Sequence, residues 1–160
     1  MVLSTKAKQD DLESLIPVVF QCQLLQTDSY PVTSTNTTVI FTDVNITDPN
    51  VSLTTDKHQI RVLKGGYYRV TVKLCILYGN TGDNNLTINY YVDSVNVVDS
   101  LPYFPTIQHT CHSQVDEVVT LQDNSLLRLG LSTPMTNFNL ATYNGVPQVT
   151  VTLVKLKDLN

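Results

Sequence analysis

The residues able to do chemistry in this chain are few and mostly far apart. His109-Thr110-Cys111-His112 is its one metal-like cluster. In an extended strand His109 and Cys111 share a face while His112 points away. A zinc site built there would draw on two ligands of one face plus His58 or an aspartate. No second Cys/His pair stands at zinc spacing, so the run reads as polar strand residues around a buried thiol, and no metal site is expected.

The carboxylates lead no further. Asp116-Glu117 is an acidic pair, but neighbours on a strand diverge and cannot flank one substrate. Asp83, Asp93 and Asp99 are scattered near expected turns, without the order of a calcium-binding loop. No Gly-x-Ser-x-Gly elbow is present. Gly65-Gly66 and Gly79-x-x-Gly82 are too sparse to cradle a phosphate. Neither a catalytic residue nor a cofactor site is therefore expected, and the chain reads as a binding or structural module, not an enzyme.

The elements that carry these residues are strands. With 21 valines and 21 threonines in 160 residues, the composition favours stiff, β-branched side chains suited to a pleated surface. Hydrophobic residues make up 42% and charged residues only 15%, so Thr, Ser, Asn and Gln must cover the surface. The net charge of −4 comes with no Lys/Arg run, which argues against nucleic acid as a partner. No apolar stretch is long enough to span a bilayer as a helix, so membrane insertion is not expected. Cys22, Cys75 and Cys111 are odd in number and widely spaced, which suits buried thiols better than a disulfide framework.

Residues 1–17 differ from the rest. Leu12, Leu15 and Ile16 fall at helical spacing beside Asp10, Asp11 and Glu13, ahead of Pro17. They predict an N-terminal arm or tether in front of one domain spanning 18–160. Met1 to Asp11 is polar and has no apolar signal core, so synthesis in the cytosol, or a signal already removed, is expected.

From position 18 the period is two. Phe20, Cys22 and Leu24 alternate with Gln21 and Gln23. Tyr68, Val70, Val72, Leu74 and Ile76 alternate with Arg69, Thr71, Lys73 and Cys75. That strand and Leu86–Val92, joined by the Gly/Asn/Asp-rich turn 79–85, predict a β-hairpin. Further strands are expected at 60–64, 109–121, 126–131 and 149–156, with a short one at 138–141. Asp48-Pro49-Asn50 and Asp123-Asn124 are turn chemistry. Turns recurring between short alternating segments predict two packed antiparallel sheets, as in a sandwich or jelly roll.

Three segments in order resemble the C1q/TNF-like jelly-roll family. They are Val39-Ile40-Phe41-Thr42-Asp43-Val44-Asn45, then Ile60 to Val72 with its Gly65-Gly66-Tyr67-Tyr68 centre, and the closing strand Val149 to Leu156. Asp123-Asn124-Ser125-Leu126-Leu127-Arg128-Leu129 is similar to the strand preceding that closing one. The resemblance covers roughly residues 36–157. It implies an all-β, two-sheet antiparallel jelly-roll sandwich that assembles as a homotrimer with both termini at its base. In such a trimer, a histidine near the axis would meet its symmetry copies. Tyr67-Tyr68 and Tyr90-Tyr91 should each place one ring in the core and one outside, and the outward rings, Tyr67 and Tyr91, are candidates for the trimer interface.

The function this predicts is a non-enzymatic trimeric virion surface protein, acting in capsid decoration, as a fibre head or in receptor or glycan binding. The arm would join a larger capsid or fibre assembly. By analogy with jelly-roll heads, the binding loops would lie at Asn80, Asp83, Asn84, Tyr103, Phe104, Phe138 and Tyr143. The alternative is a secreted C1q/TNF-like recognition domain for a receptor or glycan, with Asn36, Asn45, Asn50 and Asn85 heading Asn-x-Ser/Thr sequons. A second alternative is a jelly-roll enzyme of cupin or lyase type, which would need converging histidines and carboxylates.

Overall fold

Phe20, Cys22 and Leu24 are buried while Val19, Gln21 and Gln23 are half-exposed, so β1 (Val19–Leu24) follows the period of two residue by residue. The computed structural model describes residues 18–26, 30–33, 35–77, 86–102, 110–134, 138–140 and 145–159. The expected arm at 1–17 lies outside them. No helix occurs among the described residues, and so none is long and apolar enough to cross a membrane.

The strands that follow are β2 (Tyr30–Val32), β3 (Thr37–Thr38), β4 (Asp43–Ile46), β5 (Val51–Leu53), β6 (Ile60–Val62), β7 (Gly66–Leu77), β8 (Thr87–Val92), β9 (Val95–Ser100), β10 (Thr110–Leu121), β11 (Leu126–Ser132), β12 (Phe138–Leu140) and β13 (Val149–Lys157). They form a five-stranded sheet in the order β10-β7-β13-β1-β4. A second sheet runs β5-β6-β11-β8-β9, with β3 also on β11, and β12 pairs with β2. Every pairing is antiparallel. Each sheet has one greasy face, and the two close on each other. Phe20, Tyr68, Val70, Val72, Leu74, Val151 and Leu153 from one sheet meet Ile60, Ile88, Tyr90, Leu127, Leu129 and Leu131 from the other in one buried core.

Two sequence expectations change. The long strand β7 and β8 are not a hairpin: β7 pairs with β10 and β13, whereas β8 pairs with β9 and β11. Consecutive strands cross from one sheet to the other, and alternation says which face is apolar but not who the neighbour is. The hairpin is β8–β9. Val92 faces Val95 across a two-residue loop, and Asp93 and Ser94 both have positive φ, 48° and 70°, as a primed turn requires. Asp99 is accordingly inside strand β9, not near a turn. Asp93 ties the turn down: its Oδ1 accepts from Leu126 N–H at 2.9 Å and its Oδ2 from the Ser125 hydroxyl at 3.0 Å.

Other expectations hold. A short strand occurs at 138–140, and Asp48 Oδ1 accepts from Asn50 N–H at 2.8 Å in the expected turn.

Candidate functional site

The expected zinc set falls only partly on the described residues. His109 lies outside the described residues. Cys111 is placed only by its backbone, opposite Ile76, and His112 likewise, opposite Cys75, on the β10–β7 ladder. His58 sits in the turn joining β5 and β6, an edge pair of the other sheet, whereas β10 flanks the far edge strand β9. Among the described residues no three His, Cys, Asp or Glu side chains gather.

Asp116 and Glu117 diverge as expected. Asp116 points outward and accepts from the Thr71 hydroxyl. Glu117 turns between the sheets and accepts from the Ser100 hydroxyl. Beside them the Tyr90 hydroxyl is fully buried with no partner among the described residues. Burial pushes the Tyr90 phenol up to about 12; the nearby Ser100 hydroxyl works against this and the charges of Glu117 and Asp116 add to it.

Of the expected loop residues, Asn80, Asp83, Asn84, Tyr103, Phe104 and Tyr143 lie outside the described residues. Phe138 is placed only by its backbone, opposite Val32. Tyr68 and Tyr90 are in the core, and Tyr67 and Tyr91 are half-buried. Those two outward rings belong to opposite sheets. Tyr67 faces out of the five-stranded sheet under Lys157, whose Nζ is 5.4 Å from the ring centre. Tyr91 faces out of the second sheet.

Around Tyr91 that outer face carries a polar network. The register sets Arg128 against Tyr91, Gly130 against Asn89 and Ser132 against Thr87 on the β11–β8 ladder, and Asp99 against Asn89 and Asn96 against Tyr91 on β9. The Arg128 guanidinium lies 3.9 Å over the Tyr91 ring, and its Nη1 donates to Thr38 Oγ1 at 2.9 Å. Asn36 Nδ2 donates to Asn89 Oδ1 at 2.9 Å and to Tyr91 Oη at 2.7 Å. Asn89 Oδ1 also accepts from Ser132 Oγ at 3.1 Å, while Asn89 Nδ2 donates to Asp99 Oδ1 at 2.8 Å. Asn96 Nδ2 joins the same oxygen at 3.1 Å. A cleft of about 270 Å³ lined by Thr87, Ser132, Thr133 and Pro134 adjoins it. In sequence Tyr91 stood out as an outward ring, Asn36 as a sequon, Asp99 as a scattered carboxylate and Arg128 within a strand segment, and nothing linked them to one another or to Asn89.

A second surface is apolar. At the side of the sandwich where β9 and β10 are both edge strands, Val95, Val97 and Val118 are 63%, 51% and 58% exposed. They flank a cleft of about 290 Å³ lined by Val97, Val98, Val118, Val119 and Thr120. A wider cleft of about 630 Å³ near the end of the chain holds Lys64, Gly65, Gln122, Asp123, Lys155 and Asp158. Lys155 and Asp158 pair there at 2.5 Å, and Asp123 Oδ1 accepts from Gly65 N–H at 2.7 Å.

No family model matches the chain, and no curated protein sequence does. Solved structures do. Murine APRIL in its crystal structure at pH 8.0 matches with a TM-score of 0.59 at 12% identity, over 88% of this chain and 100% of that one. The pH 5.0 structure matches with 0.60 at 11% identity and the same coverage. At that identity the likeness speaks for architecture alone: the chain folds as an all-β, two-sheet antiparallel sandwich of the TNF-like jelly-roll type.

Proposed function

We propose that this chain is a non-enzymatic display module: a jelly roll that assembles as a homotrimer, binds a receptor or glycan, and is carried on a virion surface by its residues 1–17. The observation that carries the reading is the edge of the sandwich that β9 and β10 leave open among the described residues. Edge strands with unpaired backbone and exposed valines invite another chain. Val95, Val97 and Val118 form one such patch, flanked by Leu101 at 74% exposure. A cyclic assembly joins two different surfaces of each copy. The outer face of the five-stranded sheet, with Tyr67 at its end, is the surface a neighbour's open edge would meet, and Tyr91 would face away from the axis. Three copies on one particle-bound trimer would gain strength by avidity. Cys22 and Cys75 are buried thiols, which suits a protein assembled in a reducing compartment and displayed later.

Sedimentation velocity tests the assembly. The expected mass is three times the 17.8 kDa chain, falling to one chain in the Val97→Asp/Val118→Asp variant with an unchanged dichroism spectrum. A single-copy mass for the unaltered chain overturns it. Protein analysis of purified particles tests the setting. The secreted reading is favoured by one feature: Asn45, heading a sequon, is exposed on edge strand β4. A glycan found on Asn45 would replace the virion by secretion. Nothing in the described geometry favours a cupin or lyase.

A further inference from the structure

The network on the outer face of the second sheet is organised beyond what a solvated strand surface needs. Asn89, at its centre, is only 8% exposed, and both ends of its amide are engaged, by Asn36 and Ser132 on one side and Asp99 on the other. These bonds freeze the flanking groups, so a ligand meets them already ordered. The flanking groups keep unused capacity. Arg128 commits one N–H of its five to Thr38 and lies over the Tyr91 ring. Asp99 uses Oδ1 alone, and its Oδ2 has no partner among the described residues. The Tyr91 hydroxyl accepts from Asn36 and keeps its own proton to donate. The hydroxyl-lined cleft at Thr87 and Ser132 continues the patch.

We propose that this face, centred on Arg128, Tyr91, Asn89 and Asp99, binds a neutral oligosaccharide. The charge decides the class. One guanidinium and one carboxylate cancel, so the patch favours neither a polyanion nor a cation. Rigid donors alternating with rigid acceptors suit adjacent hydroxyls of a sugar ring, each of which donates and accepts. The Arg128 guanidinium over the Tyr91 ring supplies a floor for the sugar. Asp99 shares edge strand β9 with Val95 and Val97, so the site borders the open valine edge, and binding is read beside the mass of each sample. The inference rests on the binding-module reading and gives it a ligand class and a place.

The test is binding of the full chain to an array of neutral gluco-, galacto-, manno- and fuco-oligosaccharides, with sulfated and sialylated glycans alongside. Retention on a neutral glycan is expected. Arg128→Ala and Asp99→Ala should each weaken it by about tenfold or more, the loss expected for a charge-assisted hydrogen bond. His58→Ala, in the turn between β5 and β6 at the opposite edge of the second sheet from β9, should leave it unchanged. Arg128→Lys, which keeps charge and fold but loses the planar fork, should also weaken binding. Melting temperature and mass are measured on every sample. Retention on no neutral glycan, retention on charged glycans alone, or binding indifferent to Arg128 and Asp99 overturns the proposal. A monomer that binds with this pattern keeps the site and removes the trimer; a trimer that binds nothing does the reverse.

Discussion

Asn36 lies across Gly130, with its carboxamide occupying the space a Cβ on Gly130 would need. The missing side chain lets a residue ahead of β3 reach over β11 to Asn89 and Tyr91 on β8. Gly130→Ala should displace Asn36 and destabilise the fold by about 1–3 kcal/mol, the usual range for overpacking. Asn36→Ala alone should cost about 1 kcal/mol through its lost hydrogen bonds. In urea titrations the double variant should cost clearly less than the sum, because the clash disappears with Asn36. Strict additivity would show that the two residues do not meet.

The β8–β9 turn holds a non-glycine residue, Ser94, at φ 70°. Ser94→Gly should stabilise the protein by about 0.5–1 kcal/mol, since the left-handed strain exceeds the added chain entropy. Asp93→Ala should do the opposite by about 1–2 kcal/mol, as Leu126 N–H and the Ser125 hydroxyl lose their acceptor. Paired thermal melts of the two variants check both signs.

Two buried phenols predict an alkaline weakness. Burial is the main reason that Tyr68 is pushed up to about 12, with the charges of Asp48, Asp158 and Asp123 adding, and Tyr90 reaches about 12 as well. The unfolded chain gives up these protons near 10, the ordinary value for a phenol, so above that pH the folded state holds more protons than the unfolded one. Stability is therefore undiminished below pH 10 and falls as pH rises through about 12. Tyr90→Phe removes one of the two groups, along with a buried hydroxyl that has no partner among the described residues. It should unfold less steeply across that window in pH-jump denaturation, and should be no less stable at pH 7.

The Cys22 thiol is buried at 0% exposure, and desolvation raises its pKa far above neutrality, so the reactive thiolate is scarce in the folded state. Labelling with a thiol reagent at pH 8 should leave Cys22 unmodified until denaturant unfolds the chain. Peptide mapping that finds Cys22 labelled under native conditions would contradict its place in the core.

Alternation along the chain was enough to determine that this protein is all-β and which side chains fill its core. The reason is local: successive strand residues face opposite ways, so Phe20, Cys22 and Leu24, or Tyr68 and Tyr90 beside their outward partners, declare their faces without knowing their neighbours. Partner choice is not local. That β7 joins β10 and β13 rather than β8 depends on how two sheets bury both apolar faces at once, and the Asp93-Ser94 turn lacks the glycine that would have marked it. The sugar-sized patch was invisible for the same reason. Asn36 and Asn89 are 53 positions apart, Arg128 and Thr38 are 90 apart, and only the pairing of β3, β11, β8 and β9 sets their polar ends side by side.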